Sequence, residues 1–271
     1  MIEKYTNSLS LRFFQHLSKY REIYHFITTR NGGFSGQPYD SLNLGFHVGD
    51  NSKIVLKNRE LLASELGIPL GNFTTAKQIH GRNVKIITEN LKGCGSYNYD
   101  TVITETDAMI TNVPNICLMV LQADCVPILF FDLKKKVIGV AHAGWKGTVL
   151  KVVQNTVKML KEKFNCSTLD ILVGIGPSIG PCCYEVGPEI ISQIDRVFHN
   201  KKEYIYNETQ SGTGYFDLWE TNKIQLMQIG IPERNIEIAK ICTCCNHILF
   251  FSYRHQRGET GRFGAGIMLK S

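Results

Sequence analysis

The sequence lacks the features of membrane-spanning and secreted proteins. Its longest unbroken apolar run, 116–121, is far shorter than the roughly 18 residues that a membrane-spanning helix needs. The first residues are polar and do not form the basic and apolar segments of a secretory signal. Together with an odd number of cysteines, 9, these absences predict a soluble cytoplasmic protein whose thiols are reduced.

The chain also lacks low-complexity stretches and linkers. With 271 residues, 43% of them hydrophobic, it can bury a large core, and we expect a single domain over 1–271. The formal charge of +6 is spread along the chain, which favours a small anionic substrate. The lysines at 134–136 lie between two apolar runs and predict a solvated hairpin turn, so we expect neither a nucleic-acid partner nor a membrane partner.

Two common metalloenzyme motifs are absent. No His-x-Glu occurs, which excludes the pattern of the cytidine-type zinc deaminases. No His-Glu-x-x-His occurs either, which excludes the common zinc peptidases. A metal site in this chain therefore depends on ligands from separate segments.

Apolar periodicity and capping signals predict strands that alternate with helices. A helix is expected over 52–66, with Asn51 as its cap and Gly67 as its end. Strands are expected at 22–30, 137–141 and 170–174, and on both sides of a polar break at 122–125 in the buried stretch 116–132. A second helix is expected at 148–164, with Leu150, Val153, Val157 and Leu160 on one face. A third is expected from Asp217 to Gly230. The order is too irregular for repeated βαβ units, so we predict an α+β fold with mixed β-sheets and outer helices.

Three residues are candidate metal ligands because glycine or proline interrupts the segment around each of them. His80 lies beside a glycine, and Cys125 lies in the buried break between Asp124 and Pro127. His142 follows a predicted strand and precedes two glycines, which is where ligands bind in open sheets. Two imidazoles and one thiolate can hold Zn²⁺ and leave its fourth position open, as in catalytic zinc sites.

A second group of cysteines has a spacing along the chain that differs from that of most structural zinc sites. Structural zinc sites usually use Cys-x-x-Cys motifs. This chain has one such spacing, Cys242 to Cys245, together with the adjacent Cys182 and Cys183. We expect these four cysteines and Cys244 to be dispensable for metal binding.

Cations beside glycines indicate an anion-binding region. Arg30 directly precedes Asn-Gly-Gly, Lys146 lies in the glycine-flanked turn at 144–147, and three arginines lie within 253–262. Arginine forks in such loops suit phosphate or carboxylate. We expect the segment 253–262 to lie near the site and Arg30 to bind the anionic part of the substrate.

These segments together resemble one family, the YfiH or laccase-domain proteins, whose bacterial members are called polyphenol oxidase, purine nucleoside phosphorylase or peptidoglycan editing factor. The resemblance runs nearly end to end. The matching segments are Thr-Arg-Asn-Gly-Gly (29–33), Tyr-Asp-Ser-Leu-Asn-Leu-Gly (39–45), His-Val-Gly-Asp (47–50), Gln-Ile-His-Gly (78–81), Asp-Ala-Met-Ile-Thr (107–111), Ala-Asp-Cys-Val-Pro (123–127), His-Ala-Gly-Trp-Lys-Gly (142–147), Gly-Pro-Ser-Ile-Gly-Pro-Cys-Cys-Tyr-Glu-Val (176–186), Phe-Ser-Tyr-Arg (251–254) and Thr-Gly-Arg (260–262).

The resemblance implies an α/β/β/α layered sandwich and a catalytic zinc ion, or copper in its place, held by His80, Cys125 and His142. It implies phosphorolysis of adenosine, inosine and methylthioadenosine to the free base and a sugar 1-phosphate, and deamination of adenosine. Within the matching segments we expect Arg30, Asn43 and Lys146 to bind the purine nucleoside and inorganic phosphate. Many members have arginine where this chain has lysine at 146, which keeps the charge but loses the bidentate fork.

The residues also leave other functions open. Cys125 could be the nucleophile and His142 the base of a cysteine amidase that edits peptidoglycan precursors. Two histidines, a cysteine and a weak axial methionine would suit a copper polyphenol oxidase, although the chain has no His-x-His pair for an oxygen-reducing cluster. A non-catalytic protein with a structural zinc is a further alternative. The leading prediction is a zinc-dependent purine nucleoside phosphorylase with adenosine deaminase activity.

Overall fold

Two six-stranded sheets, one three-stranded sheet and five α-helices form the regular structure of the computed structural model, which describes residues 1–198 and 201–271. The strands are β1 (Ile2–Tyr5), β2 (Ser10–Phe13), β3 (Ile23–Thr28), β4 (Phe73–Thr74), β5 (Val84–Ile86), β6 (Ala108–Thr111), β7 (Cys117–Gln122), β8 (Val126–Asp132), β9 (Val137–Ala143), β10 (Ile171–Ile175), β11 (Glu185–Val186), β12 (Ile205–Tyr206), β13 (Gly214–Phe216), β14 (Ile236–Ile238) and β15 (Phe263–Leu269). The helices are α1 (Ser52–Leu66), α2 (Trp145–Val149), α3 (Val152–Phe164), α4 (Pro188–Val197) and α5 (Leu218–Gln228). Short 3-10 turns lie between them.

Both large sheets are mixed, as the sequence predicts. The first sheet has the strand order β1-β2-β3-β15-β7-β4, and the second has the order β14-β10-β8-β9-β6-β5. The pairs β4/β7, β5/β6 and β10/β14 are parallel, and the other pairs within these two sheets are antiparallel. The small third sheet has the order β11-β13-β12.

The two large sheets stack face to face, and the helices cover their outer faces. Strand β7 shows the arrangement, because alternate side chains of a strand point to opposite faces. Leu118 and Val120 lie in the core between the sheets. Cys117, Met119 and Leu121 lie in the core beneath α1. Helices α3 and α5 pack on the far side of the second sheet, so the predicted α/β/β/α sandwich is confirmed.

The chain crosses from the first sheet to the second between β7 and β8. The predicted polar break lies at this crossing, although Gln122 still belongs to β7 because it pairs with Phe263 of β15. Residues 123–125 make the crossing, and Asp124 takes a positive φ of 88°. One of the candidate metal ligands, Cys125, is therefore fixed where the two sheets meet.

Helix α1 has the bounds that its capping signals predict. The Asn51 side chain accepts a hydrogen bond from the backbone of Lys53, and Gly67 ends the helix in the left-handed conformation. At the start of α5, Asp217 accepts a hydrogen bond from the backbone of Glu220, as predicted. Among the described residues, no helix is both long and apolar enough to cross a membrane.

The prediction of one continuous helix over 148–164 is wrong. The chain breaks between α2 and α3, where Lys151 has a φ of 62°, and Leu150 is 44% exposed instead of facing the core. The last turn of α2 is closed locally, because the Thr148 carbonyl accepts from the Lys151 N–H, and Gln225 of α5 donates to the same carbonyl. The predicted strand 137–141 also extends by two residues, which places His142 inside β9.

A buried histidine in β3 makes the stability of the fold depend on pH. His25 is 3% exposed, and its Nε2 atom accepts a hydrogen bond of 2.9 Å from the backbone N–H of Phe14. Burial, with smaller contributions from the neighbouring His16 and Lys4, lowers the pKa of His25 to about 3, and Glu237 opposes the shift. The neutral imidazole is the form that the fold accommodates.

We expect wild-type protein to lose stability on acidification more steeply than a His25→Gln variant, which keeps an acceptor for Phe14. Because the folded-state pKa lies below the unfolded value of 6.5, the stabilisation is complete above pH 6.5 and is lost as the pH falls towards 3. The extra loss between pH 7 and pH 4 should be roughly 2–3 kcal/mol. Urea unfolding at both pH values measures it, and equal losses in the two proteins would contradict the prediction.

Candidate metal centre

Three side chains from separate segments converge beside the crossing between the sheets. The ligand atoms of His80, Cys125 and His142 all lie within 4.8 Å of one another. The two imidazole rings have centroids 4.8 Å apart and meet at 77°. The residues that the sequence singles out as metal ligands are thus neighbours in space, although 45 and 17 positions separate them along the chain.

Strand pairing brings Cys125 and His142 together. Strands β8 and β9 are antiparallel, and Pro127 pairs with His142 while Val126 pairs with Ala143. This register sets Cys125 opposite Gly144, just beyond the paired residues. A Cβ atom at Gly144 would lie 2.8 Å from the Cys125 sulfur and 2.9 Å from a ring carbon of His80, so only glycine leaves room for the three side chains.

His80 lies in a loop that side chains hold in place. The amide of Gln78 donates to the Leu121 carbonyl at 2.7 Å and accepts from the Leu121 N–H at 2.8 Å, so it pairs with β7 as a strand would. His80 itself has a φ of 59°. The loop is therefore attached to the first sheet directly beside the crossing.

The carboxylate of Asp107 connects the two histidine-bearing segments. One oxygen accepts from the His80 backbone N–H at 2.9 Å and from Nδ1 of His142 at 3.0 Å. The other accepts from the Gly81 N–H at 2.7 Å. With Nδ1 of His142 bonded to a carboxylate, Nε2 is the nitrogen left for a ligand, an arrangement common around metal-bound histidines. The spacing of the sequence gives no sign of this role, since Asp107 is distant from both histidines along the chain.

In the absence of a metal, the surroundings favour Cys125 as a thiolate and His142 as an imidazolium. Burial opposes ionisation of Cys125, but the charge of His142 and hydrogen bonds from His142 and His80 lower the pKa of its thiol to about 6. Burial also opposes the charge of His142, but the Cys125 thiolate and the Asp107 carboxylate raise its pKa to about 9. A site that stabilises a thiolate at neutral pH is prepared to bind a metal cation.

A cavity of about 700 Å³ opens onto the three residues. Its walls include Trp145, Tyr184 and Tyr253, and two arginines, Arg254 and Arg262. The volume is that of a site for a small organic ligand. The segment 253–262 thus lies at the site, as the sequence predicts.

Arg30 lies away from this cavity. Its Nε donates to the Asp40 carbonyl at 2.7 Å, its Nη1 to the His247 carbonyl at 2.9 Å, and its Nη2 lies 3.1 Å from the Asp40 carboxylate. The guanidinium also packs on the ring of Phe251, with 4.7 Å to the centroid. Its donors are engaged within the fold, which indicates a structural role instead of the predicted contact with the substrate.

Asn43 and Lys146 do not line the cavity either. Asn43 is fully buried, and its Oδ1 accepts the backbone N–H groups of Gly45 and Arg262, each at 2.9 Å. It therefore positions Arg262 instead of reaching a ligand. The exposed Lys146 has its ammonium 5.5 Å from the centroid of the Trp145 ring.

Comparison with known proteins finds similarity along almost the whole chain. A family model described as multi-copper polyphenol oxidoreductase laccase matches residues 24–270. A protein named purine nucleoside phosphorylase YlmD, from Geobacillus stearothermophilus, is 36% identical over 241 residues, which cover 89% of this chain and 88% of the relative. A protein named adenosine deaminase RL5, from an unknown prokaryotic organism, is 32% identical over 246 residues, covering 90% of this chain and 93% of the relative. A crystal structure of hypothetical protein YfiH from Bacillus licheniformis has a TM-score of 0.92 at 36% identity, with 97% of each chain covered.

We expect an Asp107→Asn variant to bind Zn²⁺ about 10–100-fold more weakly than wild type, because hydrogen-bond partners of metal-bound histidines contribute to affinity by that amount. The amide is uncharged and holds His142 less firmly. Competition with a chromophoric chelator measures the affinity. Glu105→Gln is the matched control, since this exposed carboxylate two residues away is not among the ligand groups. An unchanged affinity in Asp107→Asn would contradict the assignment.

Proposed function

Since the chain belongs to the laccase-domain family whose model it matches, we propose that it is a zinc-dependent purine nucleoside phosphorylase that also deaminates adenosine. The relatives named for these two activities support an enzyme of this family. The observation that carries the proposal is the convergence of His80, Cys125 and His142 at a cavity large enough for a nucleoside.

The donor set suits zinc. Two imidazole nitrogens and one thiolate, all within 4.8 Å of one another, are ligands that Zn²⁺ takes in sites with three protein ligands. A zinc ion held by these three residues would supply a Lewis acid to the reaction. Asp107 keeps the His142 ring oriented through Nδ1, and the bare backbone of Gly144 leaves the space that the ligand atoms need.

We assign the binding of inorganic phosphate to Arg262, because the other arginine that lines the cavity among the described residues, Arg254, donates its Nη1 and Nη2 to the Cys183 and Glu185 carbonyls. The Nε and Nη2 atoms of Arg262 make no hydrogen bond with any part of the chain that the structure describes, so they are free to form a bidentate pair with phosphate. In phosphorolysis, a phosphate oxygen bonds to the sugar carbon as the bond from that carbon to the base breaks. The base leaves with the electron pair and is protonated, and the guanidinium holds the phosphate in position.

The aromatic side chains Trp145, Tyr184 and Tyr253 offer apolar surface for the purine base. Deamination uses the same nucleoside with a different nucleophile, because water replaces the amino group on the ring and ammonia leaves. The proposal therefore needs one nucleoside site that admits either phosphate or water.

One observation favours a second candidate, a cysteine amidase. Cys125, His142 and Asp107 form a chain of contacts in which a thiolate lies beside an imidazolium that a carboxylate orients. This is the arrangement of a cysteine nucleophile with its base. The second imidazole at the sulfur, that of His80, has no task in such a triad and is explained by a metal.

The family model is described as a copper oxidoreductase, but the residues of the cavity support an oxidase less well than a zinc enzyme. A blue-copper site adds a weak methionine ligand to two histidines and a cysteine. No methionine lines the cavity within residues 1–198 and 201–271. The proposed native metal is therefore zinc.

Removal of the metal tests the enzyme proposal against the amidase. We expect chelation to abolish the conversion of adenosine, and added zinc to restore it. Chromatography of the products should find adenine only when phosphate is present. It should find inosine even when phosphate is absent. His80→Ala should lose both reactions because it removes a metal ligand, whereas Cys94→Ser, at a cysteine that does not line the cavity, should keep them. Activity that persists without metal and disappears on alkylation of Cys125 would overturn the proposal in favour of the amidase.

The assignment of phosphate to Arg262 is tested separately. We expect Arg262→Gln to raise the KM for phosphate about 10–100-fold, the equivalent of one charge-assisted hydrogen-bond pair, with a smaller change in the KM for adenosine. Steady-state phosphorolysis at varied phosphate gives both constants. Arg257→Gln, at an exposed arginine of the same segment outside the cavity lining, is the control. Equal changes in both variants, or a rise confined to the KM for adenosine, would contradict the assignment.

A further inference from the structure

We propose a second metal site, separate from the first, in which four cysteine thiolates hold a structural zinc ion. The sulfur atoms of Cys182, Cys183, Cys242 and Cys245, the tetracysteine cluster, all lie within 4.8 Å of one another. The sulfur of Cys245 is 3.5 Å from that of Cys182 and 3.3 Å from that of Cys183. Sulfurs bound to one zinc at about 2.3 Å in a tetrahedron are about 3.8 Å apart, close to these separations.

Two turns from distant parts of the chain build the cluster. In the first turn, the Cys183 N–H donates to the Gly180 carbonyl at 3.0 Å, and in the second, the Asn246 N–H donates to the Cys242 carbonyl at 3.0 Å. A bridge between Ser178 and Cys242 holds the two turns side by side. The cluster therefore rests on backbone pairing that does not depend on the sulfurs.

The surroundings of Cys242 suit a thiolate. The Gly180 N–H donates to the Cys242 sulfur at 3.2 Å, which stabilises negative charge on that atom. A tetrathiolate zinc carries a net double negative charge, and Arg254, whose Nη1 donates to the Cys183 carbonyl at 2.9 Å, places a cation beside it. Cys182 and Cys245 are exposed, so an ion has a route to the site, while Cys242 is buried.

The chemistry of the donors selects the occupant. Four thiolates close enough to share one ion prefer zinc or iron among the metals of proteins. A disulfide gives each sulfur a single partner, whereas the sulfur of Cys245 lies at nearly the same distance from two others, 3.5 Å from Cys182 and 3.3 Å from Cys183, as it would around a shared metal. The spacing along the chain argued against a metal because it contains a single Cys-x-x-Cys, but the fold supplies the second pair from the adjacent Cys182 and Cys183.

The cluster borders the proposed active site without sharing a ligand with it. Thr243, between two of the cysteines, donates its hydroxyl to the Asp124 carboxylate at 2.6 Å. The other oxygen of Asp124 accepts from the Arg254 N–H at 2.7 Å. A metal in the cluster would thus hold the wall of the cavity that carries Arg254, and would keep Asp124 in place beside Cys125. The inference does not depend on the proposed reaction.

Metal analysis of reduced, purified protein tests the site. We expect two zinc ions per chain in wild type, and one in a Cys182→Ser/Cys245→Ser variant, whose changes fall at exposed positions. Cys244→Ser is the matched control, because this cysteine lies between two members of the cluster but is not one of them. It should keep both ions.

A variant with an intact cluster makes the test independent of how the serine variant folds. His80→Ala/His142→Ala should keep one zinc, and X-ray absorption at the zinc edge should find only sulfur neighbours, at about 2.3 Å. Nitrogen or oxygen neighbours there, or no zinc in this variant, would overturn the proposal. A mass two or four hydrogens below the reduced value would indicate one or two disulfides instead of a metal, and iron in the cluster would overturn the choice of zinc.

Discussion

The buried carboxylate of Asp107 is the interaction on which the rest of the candidate metal centre depends. It accepts hydrogen bonds from the backbone N–H groups of Ile79, His80 and Gly81 and from the His142 ring. The Gln78 amide attaches the loop that carries His80 to β7, and Asp107 adds the direct link between that loop and the His142 ring on β9. An ionised carboxylate that is 1% exposed is costly unless its acceptor capacity is filled, and the two histidine segments fill it. The same hydrogen bonds therefore stabilise the buried charge of Asp107 and bring the candidate ligands His80 and His142 together.

Local signals in the sequence were enough to predict several elements and the three candidate ligands. The bounds of α1 follow from Asn51 and Gly67, and the polar break before β8 interrupts a long apolar stretch. His80, Cys125 and His142 could be chosen because glycine or proline marks each segment and because the segments resemble one family. We infer from the core between the sheets, which combines strands from both ends of the chain, that the residues form the single domain expected from the length.

The features that could not be predicted from the sequence depend on contacts between residues that are distant along the chain. The break at Lys151 lies where Gln225 of α5 bonds to the end of α2. Arg30 was a reasonable anion ligand beside two glycines, but Asp40, on a loop that returns to it, occupies its guanidinium. The tetracysteine cluster has the same explanation, since its two halves are about sixty positions apart and only the fold brings them together.

The place of β15 in the first sheet has a consequence for synthesis of the protein. This strand, Phe263–Leu269, lies between β3 and β7, which precede it by more than a hundred residues. Until it has left the ribosome, β3 and β7 each present an unpaired edge, and such edges promote association with other chains. All of the chain up to β15 must therefore be made before the first sheet closes, and the nascent chain depends on protection of those two edges during that interval.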